Sequence, residues 1–499
     1  MKRCKNKQKK QKGLKAMKMN ATYQQSVQYQ MWSEDQCAAI FGTVCRVLAK
    51  TGAEIRNAEA REILKKAGCY VDGERVRVPE GLLRWAVDAA PSSITMYDRL
   101  GEPAYTLAAH VPNFGPTNSD TCVWDGETDT KRRATTEDAV NYALLCDALP
   151  NMAWASTLVL IDDCDARISD IHELRTMLPL TKKPVMNFAL SLENLKDMVK
   201  MAEIVAGSPE KLAVNPFIMT EICPVPPLQH THDGLAQIMY MAKKRLPVLY
   251  MPGASLGLAA PITAAGAVVT ALCDNLMALL VSQLTQPGAP WIGCVLSDNV
   301  DMTTVHVTYS RPEYLIGLSG AADVFRYLGL PCCSNLGATA NGRFDAEAAF
   351  ETTAAIYTSM LSGVNMAFTN GAMECGKSSS IEELIFADEA IGFIKTIVSG
   401  QAVDEYTLAE EIINGVGPGG NFLMEAQTAA EARKQWKSAC IKGMTFEDMQ
   451  TADMPDLGQR LRARAKEIID AGPQHPLADD ILKQLDEIVA GAQARVNAK

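Results

Sequence analysis

Residues 216–251, PFIMTEICPVPPLQHTHDGLAQIMYMAKKRLPVLYM, decide how the rest of the chain is read. Phe217–Ile222 is a short apolar run that ends in a proline-rich turn, as buried strands do. Leu235–Lys244 then places apolar residues at helical spacing and ends in basic residues, which suit a helix C-terminus. Pro247–Met251 is a second apolar run of strand length. Strand, helix, strand with short links is a parallel crossover unit, and its repetition builds an α/β fold.

Outward from this unit the same rhythm predicts eight strands. They are His110–Asn118, Met152–Leu160, Val185–Leu190, Phe217–Ile222, Pro247–Met251, Trp291–Leu296, Cys332–Leu336 and Met366–Asn370. Helical patterns between them include Glu193–Val205, Leu235–Lys244, Ile262–Leu284, Arg311–Leu328, Ala346–Leu361 and Ser380–Val398. Eight such units over about 290 residues are what a (β/α)8 TIM barrel requires. An open doubly wound sheet is the alternative, and it calls for a glycine-rich phosphate loop between a strand and a helix. Only Gly415, Gly417 and Gly420 have that spacing, but they follow the helical stretch Leu408–Ile413 and enclose Pro418, so they read as a rigid turn.

The flanks are predicted as follows. Residues 1–20 hold nine lysines and arginines without an apolar core and read as a disordered basic tail, with no apolar stretch of the kind a signal peptide needs. Residues 21–106 form a mixed N-terminal extension with helices over Ser33–Lys50 and Asn57–Lys66, then short strands and one helix. The barrel core covers 107–400. Residues 401–499 form a helical C-terminal extension packing on the barrel, with amphipathic stretches at Thr428–Ser438, Leu457–Ala471 and Ile481–Ala490.

Composition narrows the function. With 47% hydrophobic and 21% charged residues the chain has the means to bury a large core, and a net charge of -10 argues against nucleic acid. Fourteen cysteines without framework spacing point to the cytoplasm, and together with 23 methionines they hint at an anaerobic setting. Leu246–Cys273 lacks any charged residue, but Pro252, Gly253, Gly257, Pro261 and Gly266 interrupt it, so it reads as a buried strand, loop and helix and not a membrane span. Among six histidines only His230 and His232 have ligand-like spacing, with Cys223 nearby; the plainer reading is a polar loop capped by Asp233 and no metal.

Asn113-Phe114-Gly115, Met186-Asn187-Phe188, a core of this length and then Gly417-Pro418-Gly419-Gly420-Asn421-Phe422-Leu423 resemble the trimethylamine methyltransferase family over about residues 30 to 490. The resemblance implies a barrel that passes a methyl group from an amine to a corrinoid carried by a separate cognate protein. The founding enzymes of that family carry pyrrolysine near the seventh strand. Here Cys332 to Asp345 are ordinary residues, and the chain runs on past them to Lys499. Relatives without pyrrolysine resemble enzymes for quaternary amines such as glycine betaine, proline betaine, carnitine or γ-butyrobetaine. Such a donor already has a good leaving group, a neutral tertiary amine, so positioning suffices and the chain needs no tightly bound cofactor of its own.

A quaternary nitrogen has no proton to donate and is best met by aromatic faces and a carboxylate. Barrel sites lie at strand C-termini. Glu221, a carboxylate in an apolar strand, is the expected catalytic residue. Phe188, Tyr250, Phe368 and Asn370 are expected to line the same mouth, with Tyr97, Phe114 and Trp124 closing it. Arg311, just before Pro312 at a helix start, is the expected partner of a betaine carboxylate, with Asn335, Asn341 and Arg343 as second choices. Rival readings are a non-catalytic betaine-binding barrel or scaffold for a corrinoid protein, and a barrel lyase or decarboxylase. The amphipathic C-terminal helices suit either a homo-oligomer or a covered barrel.

Overall fold

The computed structural model describes residues 28–309, 311–451 and 454–498, so the basic tail expected over residues 1–20 lies outside the described residues. Among these, seven strands form one continuous parallel sheet: β1 (Asn113–Pro116), β2 (Val185–Phe188), β3 (Ile218–Ile222), β4 (Val248–Tyr250), β5 (Trp291–Val300), β6 (Cys332–Ser334) and β7 (Met366–Asn370). Their spatial order is β1-β7-β6-β5-β4-β3-β2, with every neighbour pair parallel. The last strand therefore returns to the first, and the sheet curls.

The connecting helices start where polar side chains satisfy free backbone N–H groups. Ser191, Thr231, Thr263, Asp345 and Ser380 each accept such a bond at the head of Leu192–Ala206, His232–Lys244, Ala264–Thr285, Ala346–Ser362 and Ile381–Val398. The helix expected after His232 is thus capped by Thr231 and not by Asp233. Ala264–Thr285 is the one described helix long and apolar enough to cross a membrane, but most of it is buried, packed against Glu34–Lys50, Glu80–Ala89 and His232–Lys244.

The eighth strand expected over Met152–Leu160 does not form. Ser156 bonds through its hydroxyl to Thr117 O and to Leu158 N, Thr157 Oγ1 donates to Val159 O, and Leu158 has a φ of 58°. These local bonds compete with a strand ladder. The segment still spans the seam between β1 and β2: Ala153 N–H donates to Phe114 O at 2.7 Å, Ala155 N–H to Pro184 O at 2.8 Å, and Met186 N–H to Ala155 O at 3.0 Å.

Side chains alternate across the strands. The inner face carries Trp154, Met186, Met219, Leu249, Ile292, Cys294, Cys333, Met366 and Phe368, and against them pack Ile94, Met96, Tyr105 and Leu107. The last four belong to a hairpin of Ser93–Tyr97 and Pro103–Ala108. Its Tyr97 N–H donates to Pro216 O and its Arg99 N–H to Lys182 O, both ahead of the strands that follow, so the hairpin plugs the N-terminal end.

At the other flank the helix expected over Thr428–Ser438 is only Ala426–Glu431. Leu457–Ala471 forms as expected and packs on Thr136–Ala148 and Ile381–Val398, while Asp479–Asn497 packs on Ser169–Leu180 and Leu192–Ala206.

Gly115 faces the Trp154 ring so closely that an added Cβ would lie 2.2 Å from it. Overpacking at such a contact costs about 1–3 kcal/mol. Gly115→Ala should lower the unfolding free energy by that amount and the denaturation midpoint with it, whereas Gly81→Ala, where a Cβ meets nothing, should not lower it. Equal midpoints for the two variants would show that Trp154 is not wedged against β1.

Candidate functional site

With the hairpin at the N-terminal end of the sheet, the polar side chains of the inner face gather at its C-terminal end. On β3, Thr220 turns outward and donates to Asn187 Oδ1 at 3.2 Å, so its neighbour Glu221 faces inward, beside its cross-strand partner Phe188 on β2. Asn118 Nδ2 donates to Glu221 Oε2 at 3.4 Å, and Cys223 Sγ donates to Glu221 Oε1 at 3.4 Å. Burial pushes the Glu221 carboxyl up to about 7, opposed only by these two bonds. Cys223 is an exposed residue, but its thiol is turned to Glu221, and burial and then the Glu221 charge hold it well above the ordinary range.

Two further carboxyls share the mouth. Asp120 is buried, accepts from Ser379 Oγ at 2.7 Å, and is raised well above the carboxylate range by burial and by the charge of Glu221. Asp298, two residues beyond the strand end expected from sequence, is raised by burial and accepts from Ser255. Tyr309 links them: burial raises its hydroxyl, Asp298 and Asp120 add to the rise, and it bonds to Asn335. Tyr309 stacks on Tyr314 with ring centroids 4.7 Å apart, and Tyr314 donates to the Asn335 carbonyl. No lysine or arginine is among the influences on Glu221, Asp120 or Asp298 among the described residues.

Of the residues expected from sequence, Glu221, Phe188, Phe368 and Asn335 come together on the inner face or its rim. Four do not. Tyr97 lies at the plugged N-terminal end. Tyr250 points outward because alternation places its neighbours Leu249 and Met251 inside; it is hydrogen-bonded to His230 Nδ1 at 2.7 Å and packs on Trp291. Arg311 is half exposed and paired with Asp301 at 2.6 Å, beside a cavity of about 470 Å³ lined by Leu256, Ile262, Asn299 and Val300 and not by Glu221, Asp120 or Asp298. Asn370 is fully buried and donates to Gly115 O at 2.7 Å and Ala367 O at 3.0 Å, tying β7 to β1.

Phe114 is also turned outward into the core, Trp124 donates to Asp129 in a surface hairpin, and Arg343 pairs with Asp129. Asn118, Asp120, Asp298 and Tyr309 were not foreseen. Asn118 and Asp120 sit at or just past the end of a predicted strand, a position that marks them; Tyr309 arrives from a loop and carries no local signal.

His230 and His232 do not converge. Burial pushes His230 down to about 3, so it is neutral beside Asp274, whose carboxyl burial pushes up to about 7 at 3.5 Å. His232 instead opens a helix. Among the described residues no group of three or more His, Cys, Asp or Glu side chains is placed to hold a metal ion.

Comparison with known proteins gives the family and the fold. The chain is 29% identical over 460 residues to a trimethylamine methyltransferase of Desulfitobacterium hafniense, covering 92% of this chain and 93% of that protein. It is 25% identical over 444 residues to a glycine betaine methyltransferase of the same species, covering 88% and 92%. Its fold resembles the crystal structure of the Methanosarcina barkeri monomethylamine methyltransferase, with a TM-score of 0.50 at 9% identity over 89% of this chain and 88% of that one. The trimethylamine methyltransferase family model matches residues 1–497, and the chain belongs to that family.

Proposed function

We propose that the chain moves a methyl group from a quaternary amine to the reduced corrinoid of a partner protein, in the cytoplasm of an anaerobe. The observation that carries this reading is the buried Glu221 carboxyl, set beside Phe188 and near Asp120 without a basic side chain among its described neighbours to neutralise it. Such a mouth attracts a cation, and a permanent one needs no hydrogen-bond acceptor. Relatives named for trimethylamine and for glycine betaine support an N-methyl donor. Glycine betaine, proline betaine, carnitine and γ-butyrobetaine are the donors of choice.

The corrinoid supplies the nucleophile when it is bound, and a mouth open to solvent at Cys223 suits its approach from outside. The N–CH3 bond breaks with its electron pair left on nitrogen, and a neutral tertiary amine leaves. Glu221 and Phe188 hold the nitrogen, and the Phe368 ring below them fills the inner face. Because Arg311 is held by Asp301 outside the mouth, the donor's other end is met by the neutral groups Asn118, Tyr309 and Asn335. The bonds of Ala153 and Ala155 across the seam support a complete (β/α)8 barrel, with that segment as its irregular eighth part.

Incubation with chemically reduced cobalamin and a panel of the four betaines, tetramethylammonium and trimethylamine tests the activity, with mass spectrometry of the demethylated amine as readout. Protein-dependent demethylation of a quaternary amine is expected. Tight calorimetric binding without any demethylation would make the chain a binding module instead.

The pH dependence of binding follows from Glu221. Its carboxyl is protonated below about 7, so cation affinity rises from pH 6 to 8 and levels off above. Glu221→Gln should weaken calorimetric binding of the accepted donor about tenfold at pH 8, the equivalent of about 1.4 kcal/mol, and flatten the profile. An unchanged profile would remove Glu221 from the site.

A further inference from the structure

Residues 401–450 contain a single buried side chain, Cys440, yet the stretch is rich in large apolar residues. The short helices Glu405–Leu408, Glu410–Val416 and Ala426–Glu431 bury no side chain at all. Helices this short are not stable in water by themselves. Gly417 and Gly419 have positive φ and turn the chain so that Phe422, Leu423 and Met424 stand 43%, 78% and 93% exposed. Val403, Tyr406, Leu408, Ile413, Trp436, Ile441, Phe446 and Met449 add further exposed apolar surface.

We propose that this segment is the contact surface for a second copy of the chain, with the Phe422-Leu423-Met424 tip of each copy seated in an apolar socket of the other. The socket is a cavity of about 540 Å³ lined by Phe386, Ala390, Phe393, Trp436 and Ile441, with Phe393 and Trp436 in edge contact at 5.4 Å. Three observations favour a second copy. With about 150–250 Å² for each large side chain when fully open, the exposed groups leave on the order of 1,000 Å² of apolar surface, above the ~800 Å² that each partner buries in a standard interface. A monomer rarely exposes such a patch.

Charge is also self-complementary along the segment. Residues 401–431 hold six acids and no base, and residues 432–446 hold four bases and no acid, so a twofold axis sets the acidic part of one copy against the basic part of the other. Finally, the surface lies on the flank of Ile381–Val398, where Ser438 donates to Glu389, and not at the C-terminal mouth. Covering it leaves the mouth free.

Light scattering of the full chain during size exclusion tests this directly. The parent chain should have at least twice the 54.1 kDa of one copy at micromolar concentration. The double variant Leu423→Asp/Met424→Asp should fall to a single copy with an unchanged far-ultraviolet spectrum, since these side chains are largely free of contacts within the chain. Met302→Asp, a change at another exposed apolar residue, should keep the parent mass. A monomeric parent, a double variant of unchanged mass, or dissociation by Met302→Asp would each overturn the proposal.

Discussion

Everything in this molecule depends on one pairing, that of the last strand of the sheet with the first. Met366 opposite Asn113 and Ala367 opposite Phe114 bring β7 round to β1 across more than 250 residues of sequence. Asn370 reinforces the join by donating to Gly115 O from a fully buried position, where leaving its amide unpaired would be costly. A parallel sheet that returns on itself must fill its inner face, and residues from six of its strands do so jointly with Trp154 and the Ser93–Ala108 hairpin. The hairpin covers the N-terminal end, and the proposed site lies at the other.

At that open end, burial acts on acids that no nearby base compensates. A structural carboxylate in a core is normally paired, as Asp138 is with Arg132 at 2.6 Å. Glu221, Asp120 and Asp298 are held instead by amide, hydroxyl or thiol donors, which stabilise a carboxylate without cancelling its charge. Burial therefore favours the protonated form of each of these acids, and what raises them is desolvation and, for Asp120, the Glu221 charge.

Much of the architecture was legible in the sequence because its elements are local. The helices Leu192–Ala206, Pro312–Tyr327, Ala346–Ser362 and Ile381–Val398 fall within a residue or two of their periodic patterns, and seven of eight predicted strands form. The eighth was misread because Met152–Leu160 has the composition of a strand, whereas its Ser156 and Thr157 hydroxyls bond to the backbone. The helix over Thr428–Ser438 was overestimated for a similar reason: amphipathic spacing promises a buried face, and Ala426–Glu431 has none within this chain.

The sequence by itself determined the family, the alternation of strand and helix, and Glu221 as an acid within an apolar strand. Only the tertiary structure decided which aromatic and polar residues share its side of the sheet. Strand phase sends Tyr250 to the outer side of the wall and Phe188 to the inner, a one-residue distinction that apolar runs on both faces do not record. Asn118 follows β1, Asp298 lies near the end of β5 and Tyr309 lies beyond it, and the bond of Asn118 to Glu221 and the influence of Asp120 on Tyr309 join residues far apart in sequence, so nothing local to any of them records the grouping.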